Sequence, residues 1–576
     1  MLRLSKVAAG AFVAAALAFA QAPPAVAPAG PAAAVQVAPL QEIDIPPRAG
    51  ILGQSAISLP EVIERVLAND PDLRVARIAN EQAGYNFRAA LGAYDPVAGF
   101  RAYHAKQVTP AASVLSGAAN GKLTQTEWNG TPQISGLTPA TGGAYSLSFA
   151  NARQGTDNQF ASLSPMYPTS LNLGLTQPLW RGLRFDENRY RIQVARKNLT
   201  LSGEQIRQRV IEAVTQAVQA YWELDFAWHN FEVQKEAVRL AERQYGSNRR
   251  LAEQGILAPI DVVAAQTQVA TFQQSVFTAQ QVLTQAENNL KMIMLRNRQD
   301  LLWGVALTPE TRLDPPGPTP GYDEALRLAL AGRPELAQSN LALDINRLDT
   351  RLHTEDTRVR VDAFANVSMT GLSGHPLPSN SDQLFSGLAG LITRLNDLSA
   401  LNGLPPINVG SFGGTLPAMY VGSYGQSLSN LGSGQFLTVQ AGVQISLPIR
   451  NRTAEARAAA SAADGRRLQA LRDQVEMAVQ ADVRNAIQAV ASAQARLNAA
   501  SIARQSAEEQ YASEQRQFQA GTSTVFLVFQ RQTDLIAARS RELRARTDFG
   551  QMLANLDRAT AQTLEKRNIN LAAGHP

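Results

Sequence analysis

The sequence predicts a mixed α and β membrane protein built from two internal repeats, in which very long helices accompany a β-barrel. Three observations predict it. The chain repeats itself at nearly one offset, each half holds a helix-like run of almost seventy residues, and each half holds strands with one apolar and one small polar face. At 576 residues the chain is also too long for one soluble core. Lys and Arg total 53 against 48 Asp and Glu, a net charge of +5 that makes no case for nucleic acid. The absence of cysteine excludes disulfides, Cys-ligated zinc, iron–sulfur clusters, a thiol nucleophile and a lipidated N-terminal Cys.

Met1–Ala20 reads as a secretory signal: Arg3 and Lys6, the apolar run Val7–Leu17, then Ala18-Phe19-Ala20 before the cut. The apolar run is shorter than the roughly 20 residues that span a bilayer. Without the two basic residues of the signal the net charge is +3. No later stretch offers a transmembrane helix, so any membrane crossing is a closed β-barrel. Residues 21–55 are rich in Pro and Ala and read as an extended tether. The first repeat then spans 56–316 and the second 317–570, with a tail at 571–576.

The duplication rests on two matches. Leu59–Leu73 and Tyr322–Leu336 are helix-like runs that end on Asp70-Pro71-Asp72-Leu73 and Arg333-Pro334-Glu335-Leu336, 263 residues apart. Ala241–Gly255 aligns with Ala507–Gly521 at an offset of 266, with seven of 15 positions identical; average residue usage would give roughly one. The join is the Pro-rich Asp314–Gly321.

Each half is expected to run in the same order. A helix of about 30 residues (58–90, then 322–354) precedes a β-like stretch (95–180, then 358–449). A very long helix follows (186–254, then 453–519), and after a Gly-marked turn a helix returns (259–298, then 525–566). Asp186–Gln254 has no proline and would reach about 100 Å. It carries two apolar stripes, Ile206–Val210–Ala213–Ala217–Tyr221–Leu224 and Ile211–Val214–Val218–Trp222, so it needs a neighbour on each side. Val479, Val483, Ala486, Val490, Ala493 and Leu497 alternate steps of four and three, the coiled-coil period.

The strands alternate at period two: Tyr145, Leu147 and Phe149 with Ser146 and Ser148; Leu171, Leu173 and Leu175 with Asn172 and Gly174; Val439, Ala441, Val443 and Ile445 with Gln440, Gly442 and Gln444. One face suits lipid and the other a watery lumen. Tyr103, Tyr167, Trp180 and Phe436 near strand ends fit interfacial girdles. The second half shows two strands, about 359–369 and 436–447. The first shows three, near 96–104, 143–151 and 169–179, and an even count requires either one fewer or a fourth near 122–136. The 371–434 segment reads as a loop with a short helix at 382–398. Four strands cannot close a membrane barrel, since even small ones have about eight, so several copies must share it.

With this plan in view, the chain resembles the TolC family of outer-membrane efflux proteins. The resemblance is carried by the duplicated plan, Asp70-Pro71-Asp72-Leu73, Thr176-Gln177-Pro178-Leu179-Trp180 with its counterpart Ser446-Leu447-Pro448-Ile449, and two Tyr-x9-Gly turn motifs. It implies a homotrimer with a shared transmembrane β-barrel and a long periplasmic α-helical barrel. It implies as partners a periplasmic adaptor (membrane fusion) protein, an inner-membrane pump and outer-membrane lipid. The implied role is the outer-membrane channel of a tripartite efflux or type I secretion system, conducting passively. The other reading of the residues is a structural periplasmic coiled coil or adhesin without transport.

The resemblance also places a site. Gly255, Ile256, Leu257 and Asp261 match one periplasmic tip; Gly521, Thr522 and Val525 match the other, and adaptor hairpins would dock there. The family's pore-ringing carboxylates, six and nine residues after the second Gly, are Leu527 and Gln530 here. Its locking Tyr and Arg fall on Phe518 and Ser523. Phe526 or Leu527 would then form an apolar constriction that gates by dewetting. No catalytic site is expected: the five histidines are scattered, Gly117–Leu123 lacks phosphate-loop spacing, no GxSxG occurs, and Glu508-Glu509 is a solvated pair. No cofactor or metal is expected.

Overall fold

The computed structural model describes residues 44–113, 116–118, 120–312, 320–377, 381–406 and 416–570. The expected signal, most of the tether, most of the inter-repeat join and the tail lie outside these residues. The chain divides into two compact units. One is helical, made of Phe231–Gln280 and Ser506–Ala537 with the segment ending at Pro46; the other holds the remainder.

The second unit opens with β1 (Gly53–Ile57), α1 (Leu59–Asn69) and α2 (Pro71–Leu91). The single helix expected at 58–90 is therefore two, broken at Asp70. A residue before proline is driven out of the helical region, and Asp70 sits at φ −54°, ψ 124°. Its carboxylate then caps α2 by accepting the Leu73 N–H at 2.9 Å. The second repeat breaks the same way between α5 (Tyr322–Gly332) and α6 (Pro334–Asp356), with Arg333 at ψ 126°.

Four strands follow α2: β2 (Val97–Pro110), β3 (Lys122–Leu137), β4 (Ala144–Thr156) and β5 (Leu163–Pro178). The even-count alternative with a strand near 122–136 is thus the observed one. The second half supplies β7 (Arg360–Pro376) and β8 (Leu437–Ser446). Together they form one antiparallel sheet in the order β2-β3-β4-β5-β7-β8. Between β7 and β8 lie α7 (Ser381–Leu401), near the expected loop helix, and an unanticipated α8 (Tyr424–Gly432). Helix α8 lies directly on the sheet. Thr169 Oγ1 meets Ser427 Oγ at 2.9 Å, and a Cβ on Gly371 would stand 2.1 Å from the Ser427 carbonyl, so only glycine fits.

The long helices are α3 (Glu187–Glu253) and α9 (Arg452–Gln519); α4 (Pro259–Met294) and α10 (Val525–Ala559) return. Val210, Ala217, Tyr221 and Leu224 on one stripe of α3, and Ile211, Val214, Val218 and Trp222 on the other, are all buried, as two-sided packing requires. Val479, Val483, Val490 and Ala493 of α9 are buried with Phe549 and Leu556 of α10. Helix α4 carries the same period in Val262, Ala265, Val269, Phe272, Val276, Ala279, Leu283, Ala286 and Leu290, all buried.

One element was not expected from the sequence. β1 pairs in parallel with β6 (Val305–Pro309), residues placed at the end of the tether and past the return helix. A buried charge cluster holds the pair to α4. Lys291 Nζ donates to Glu287 at 2.6 Å and to the Val305 carbonyl at 2.6 Å, while the Leu307 N–H donates to Glu287 at 3.2 Å. Arg48 completes the cluster on the same carboxylate. Both Lys291 and Glu287 are shut off from water, so this hydrogen bonding is what makes their burial tolerable.

Candidate functional site: the helical turns and the two-faced sheet

The helical unit ends in two reversals of one design. Gly255 (φ +74°) donates its N–H to the Ala252 carbonyl and Ile256 to the Leu251 carbonyl, at 3.0 and 2.9 Å. Gly521 (φ +77°) donates to Phe518 and Thr522 to Gln517, at 3.0 and 2.9 Å. This is a Schellman closure at both sites, and its left-handed residue is why glycine stands there. The tyrosines of the two Tyr-x9-Gly motifs, Tyr245 and Tyr511, are buried in the apolar cores beneath the turns. Burial raises the Tyr511 phenol pKa.

Beyond the second turn the chain reads Val-Phe-Leu-Val-Phe, and packing sets its phase. Val525, Val528 and Phe529 turn inward with Leu535 and Ile536. Phe526 and Leu527 are exposed at 72% and 37%, and Gln530 is exposed with them. Val525, expected on the docking surface, is instead 4% exposed and anchors the turn from beneath. Leu257 packs partly against the same core, Ile256 and Ile260 are exposed, and Asp261 is half-buried in the first turn of α4. Gly255, Gly521 and Thr522 are exposed. Ser523, which stands at a family locking position, lies in the turn and donates its hydroxyl to Glu514 of the preceding helix α9, and Phe518 packs against both cores. Ile260 belongs to the turn motif the sequence offers, whereas Glu514 was not expected from it.

In the other unit the sheet sorts its side chains by face. One register row runs Ala98, Ile134, Leu147, Leu173, Val367, Val439 across all six strands, every member apolar. The next row, on the opposite face, runs Gly99, Gln133, Ser148, Asn172, Ser368, Thr438. Within it the Ser368 hydroxyl donates to the Asn172 side chain at 2.6 Å. The β3–β4 turn is tied to the start of α3, where Arg189 donates to the Pro139 carbonyl at 3.3 Å, and to the end of β5, where Thr141 donates to Gln177 at 2.7 Å. Aromatics gather on the apolar face at the opposite end. Trp128 stacks on His104 at 4.3 Å, and Tyr167 meets His375 and Tyr424 edge-on. Tyr103, expected among them, lies on the polar face and donates to Glu127 at 2.9 Å. Trp128 was missed because Gly130 and Pro132 blur the alternation of β3.

Among the described residues no helix is long and apolar enough to cross a membrane. No group of three or more metal-ligating side chains occurs among them.

The comparisons with known proteins agree with this geometry. The family model described as outer membrane efflux protein matches twice, at 135–294 and 415–562, together more than half of the chain. Among solved structures, the Campylobacter jejuni CmeC outer membrane channel is 13% identical with a TM-score of 0.59, over 93% of this chain and 99% of that one. The outer-membrane channel OprN is 14% identical with a TM-score of 0.59, over 88% and 90%. The outer membrane protein VceC of Vibrio cholerae is 14% identical with a TM-score of 0.56, over 87% and 96%. No curated protein matches the sequence.

Proposed function

The chain belongs to the outer membrane efflux protein family, and from that premise we propose that three copies form one passive conduit. It is an outer-membrane efflux channel with a large helical portion in the periplasm. In the proposed assembly each copy lends its sheet to a shared transmembrane β-barrel and its long helices to a periplasmic α-helical barrel. A periplasmic adaptor (membrane fusion) protein and an inner-membrane pump deliver the substrate and supply the energy, as a tripartite efflux or type I secretion system.

The two-faced sheet carries this reading. A row of six apolar residues spans the sheet and remains accessible in a single chain, which lipid would cover. The opposite face is small and polar, as a water-filled lumen requires. At the helical turns, Ile256, Leu257, Asp261 and Thr522, set by Gly255 and Gly521 and held from below by Val525, meet the adaptor. Phe526, Leu527 and Gln530 line the constriction, where apolar side chains gate by dewetting.

The purified protein in planar bilayers tests this. Stepwise ionic conductance is expected, rising several-fold with Phe526→Ser or Leu527→Ser. A structural coiled coil or adhesin would give no conductance, and an unchanged conductance in both variants would remove the constriction.

A further inference from the structure

On the apolar face of the sheet, at the end away from α3, the row that holds Trp128 also holds charge. His104 and Arg153 stand opposite Trp128 on the two neighbouring strands. Each of the three lies six residues along its strand from the apolar row of Ala98, Ile134 and Leu147. An even step keeps them on that face, about 20 Å further on. Lys106 adds a second cation on the same face, two residues beyond His104. Building on the conduit proposed above, we propose that this corner binds the phosphate of a lipid headgroup in the outer leaflet.

The two cations have no answer within the chain. Arg153 and Lys106 are exposed and form no ion pair among the described residues. The neighbouring carboxylates are engaged elsewhere. Glu127 lies on the opposite face, where it accepts from Tyr103 at 2.9 Å. Asp157, past the end of β4, accepts the Thr124 N–H at 2.7 Å. A groove of about 320 Å³ opens beside Arg153, lined also by Trp128, Tyr167 and Tyr424 of α8. Tyr424 is held over it by donating its hydroxyl to Asn151. Ligand clefts begin at about this volume.

Depth and chemistry then select the ligand. The lipid-facing band of a membrane barrel is about 25 Å tall and flanked by aromatic residues, so a row 20 Å beyond Leu147 stands at its margin. That margin is where the phosphates of lipids lie. An arginine offers phosphate paired N–H donors in a fixed fork, and a lysine offers it a point charge. Arg153 and Lys106 straddle β3 with their Cα atoms roughly 12 Å apart by strand geometry, so both long side chains can reach a phosphate seated over Trp128. A soluble anion would meet the same two charges. The lipid is favoured because the groove lies on the apolar face, where acyl chains below the headgroup would cover Phe149, Leu171 and Leu173.

The full-length protein, extracted from outer membranes in mild detergent, is titrated with bis-phosphorylated lipid A and with the same glycolipid stripped of phosphate. Native mass spectrometry counts the bound copies. Lipid A is expected to bind, and the stripped form to bind about tenfold more weakly. Arg153→Gln combined with Lys106→Gln should weaken lipid A to the same degree. Arg101→Gln, which removes a cation from the polar face, should leave it unchanged. If the double variant fails to assemble, Arg153→Gln alone is read in the same way. Equal binding of the two glycolipids, or equal retention by the variants and the native protein, would overturn the site. Displacement of lipid A by an equal concentration of inorganic phosphate would make it a soluble-anion site and overturn the lipid assignment. A protein absent from the outer-membrane fraction would instead overturn the conduit reading beneath it.

Discussion

In the helical unit, Val269 and Val528 are fully buried. In the sheet, Leu173 holds a central place among six strands and is still 38% exposed, with Leu147 at 41% and Val439, at the edge, at 63%. The same residue types meet opposite fates. The helical unit covers its apolar stripes with other helices of its own chain. Among the described residues, the apolar row of the sheet stays partly exposed. The tip is thus specified by its own side chains, while the sheet leaves its apolar row exposed in the single chain. Substitutions should therefore act through folding in one region and through membrane assembly in the other.

The largest effect is expected in the tip core. Leu535→Ala empties a buried site and should destabilise the tip by about 2–5 kcal/mol. The neighbouring exposed Phe526→Ala should stay within about 0.5 kcal/mol. Hydrogen exchange across 506–537 separates the two, and equal effects would break the contrast. Next comes Leu173→Arg on the apolar face, which should cost about 2–4 kcal/mol per copy in the bilayer and abolish outer-membrane oligomers. Asn172→Arg, one residue away on the polar face, should assemble normally. Oligomer yield from membrane fractions decides, and equal loss from both would deny that the faces differ.

A smaller effect is expected at the turns. A Cβ on Gly255 would meet nothing within 4 Å, so Gly255→Ala should cost only the left-handed strain, about 1–2 kcal/mol. Gly203→Ala, in open space on α3, should instead stabilise by roughly 0.5–1 kcal/mol. Thermal melts of the two variants should shift in opposite directions. The smallest effect is electrostatic. Hydrogen bonding to Asp225 raises the His229 pKa above its ordinary value, against an opposing desolvation by burial. The folded state therefore favours the charged imidazole. Its contribution is full below the unfolded pKa of about 6.5 and fades as pH rises through the higher folded value. The melting temperature should fall slightly over that window, and His229→Gln should flatten the change.

The same contrast explains what the sequence revealed. β4, β5 and β8 were legible because one apolar and one polar face impose a strict period of two. β3 was only an alternative, since Gly130 and Pro132 occupy apolar-face positions without apolar bulk. β1 and β6 were invisible: five residues each, with no alternation, they are defined by pairing across 252 residues, as Gly53 with Val305. The charge cluster was half-visible, since Glu287 and Lys291 interrupt an apolar stripe next to Ala286 and Leu290. The breaks at Asp70-Pro71 and Arg333-Pro334 were present in the sequence as residues that cannot continue a helix. The turn glycines were legible from the repeat and from glycine's tolerance of the left-handed closing conformation, which both adopt. The phase of Val525–Phe529 was not legible, because five consecutive apolar residues give no periodicity and only packing chooses which face turns inward.

In the proposed conduit one face of the sheet meets lipid and the other meets water. Single cysteines at Asn172, Leu173, Gly174 and Leu175 of β5, probed in intact outer membranes with a water-soluble maleimide, test it most directly. The account predicts alternation, with Asn172→Cys and Gly174→Cys labelled and Leu173→Cys and Leu175→Cys protected. Uniform labelling of all four would contradict it.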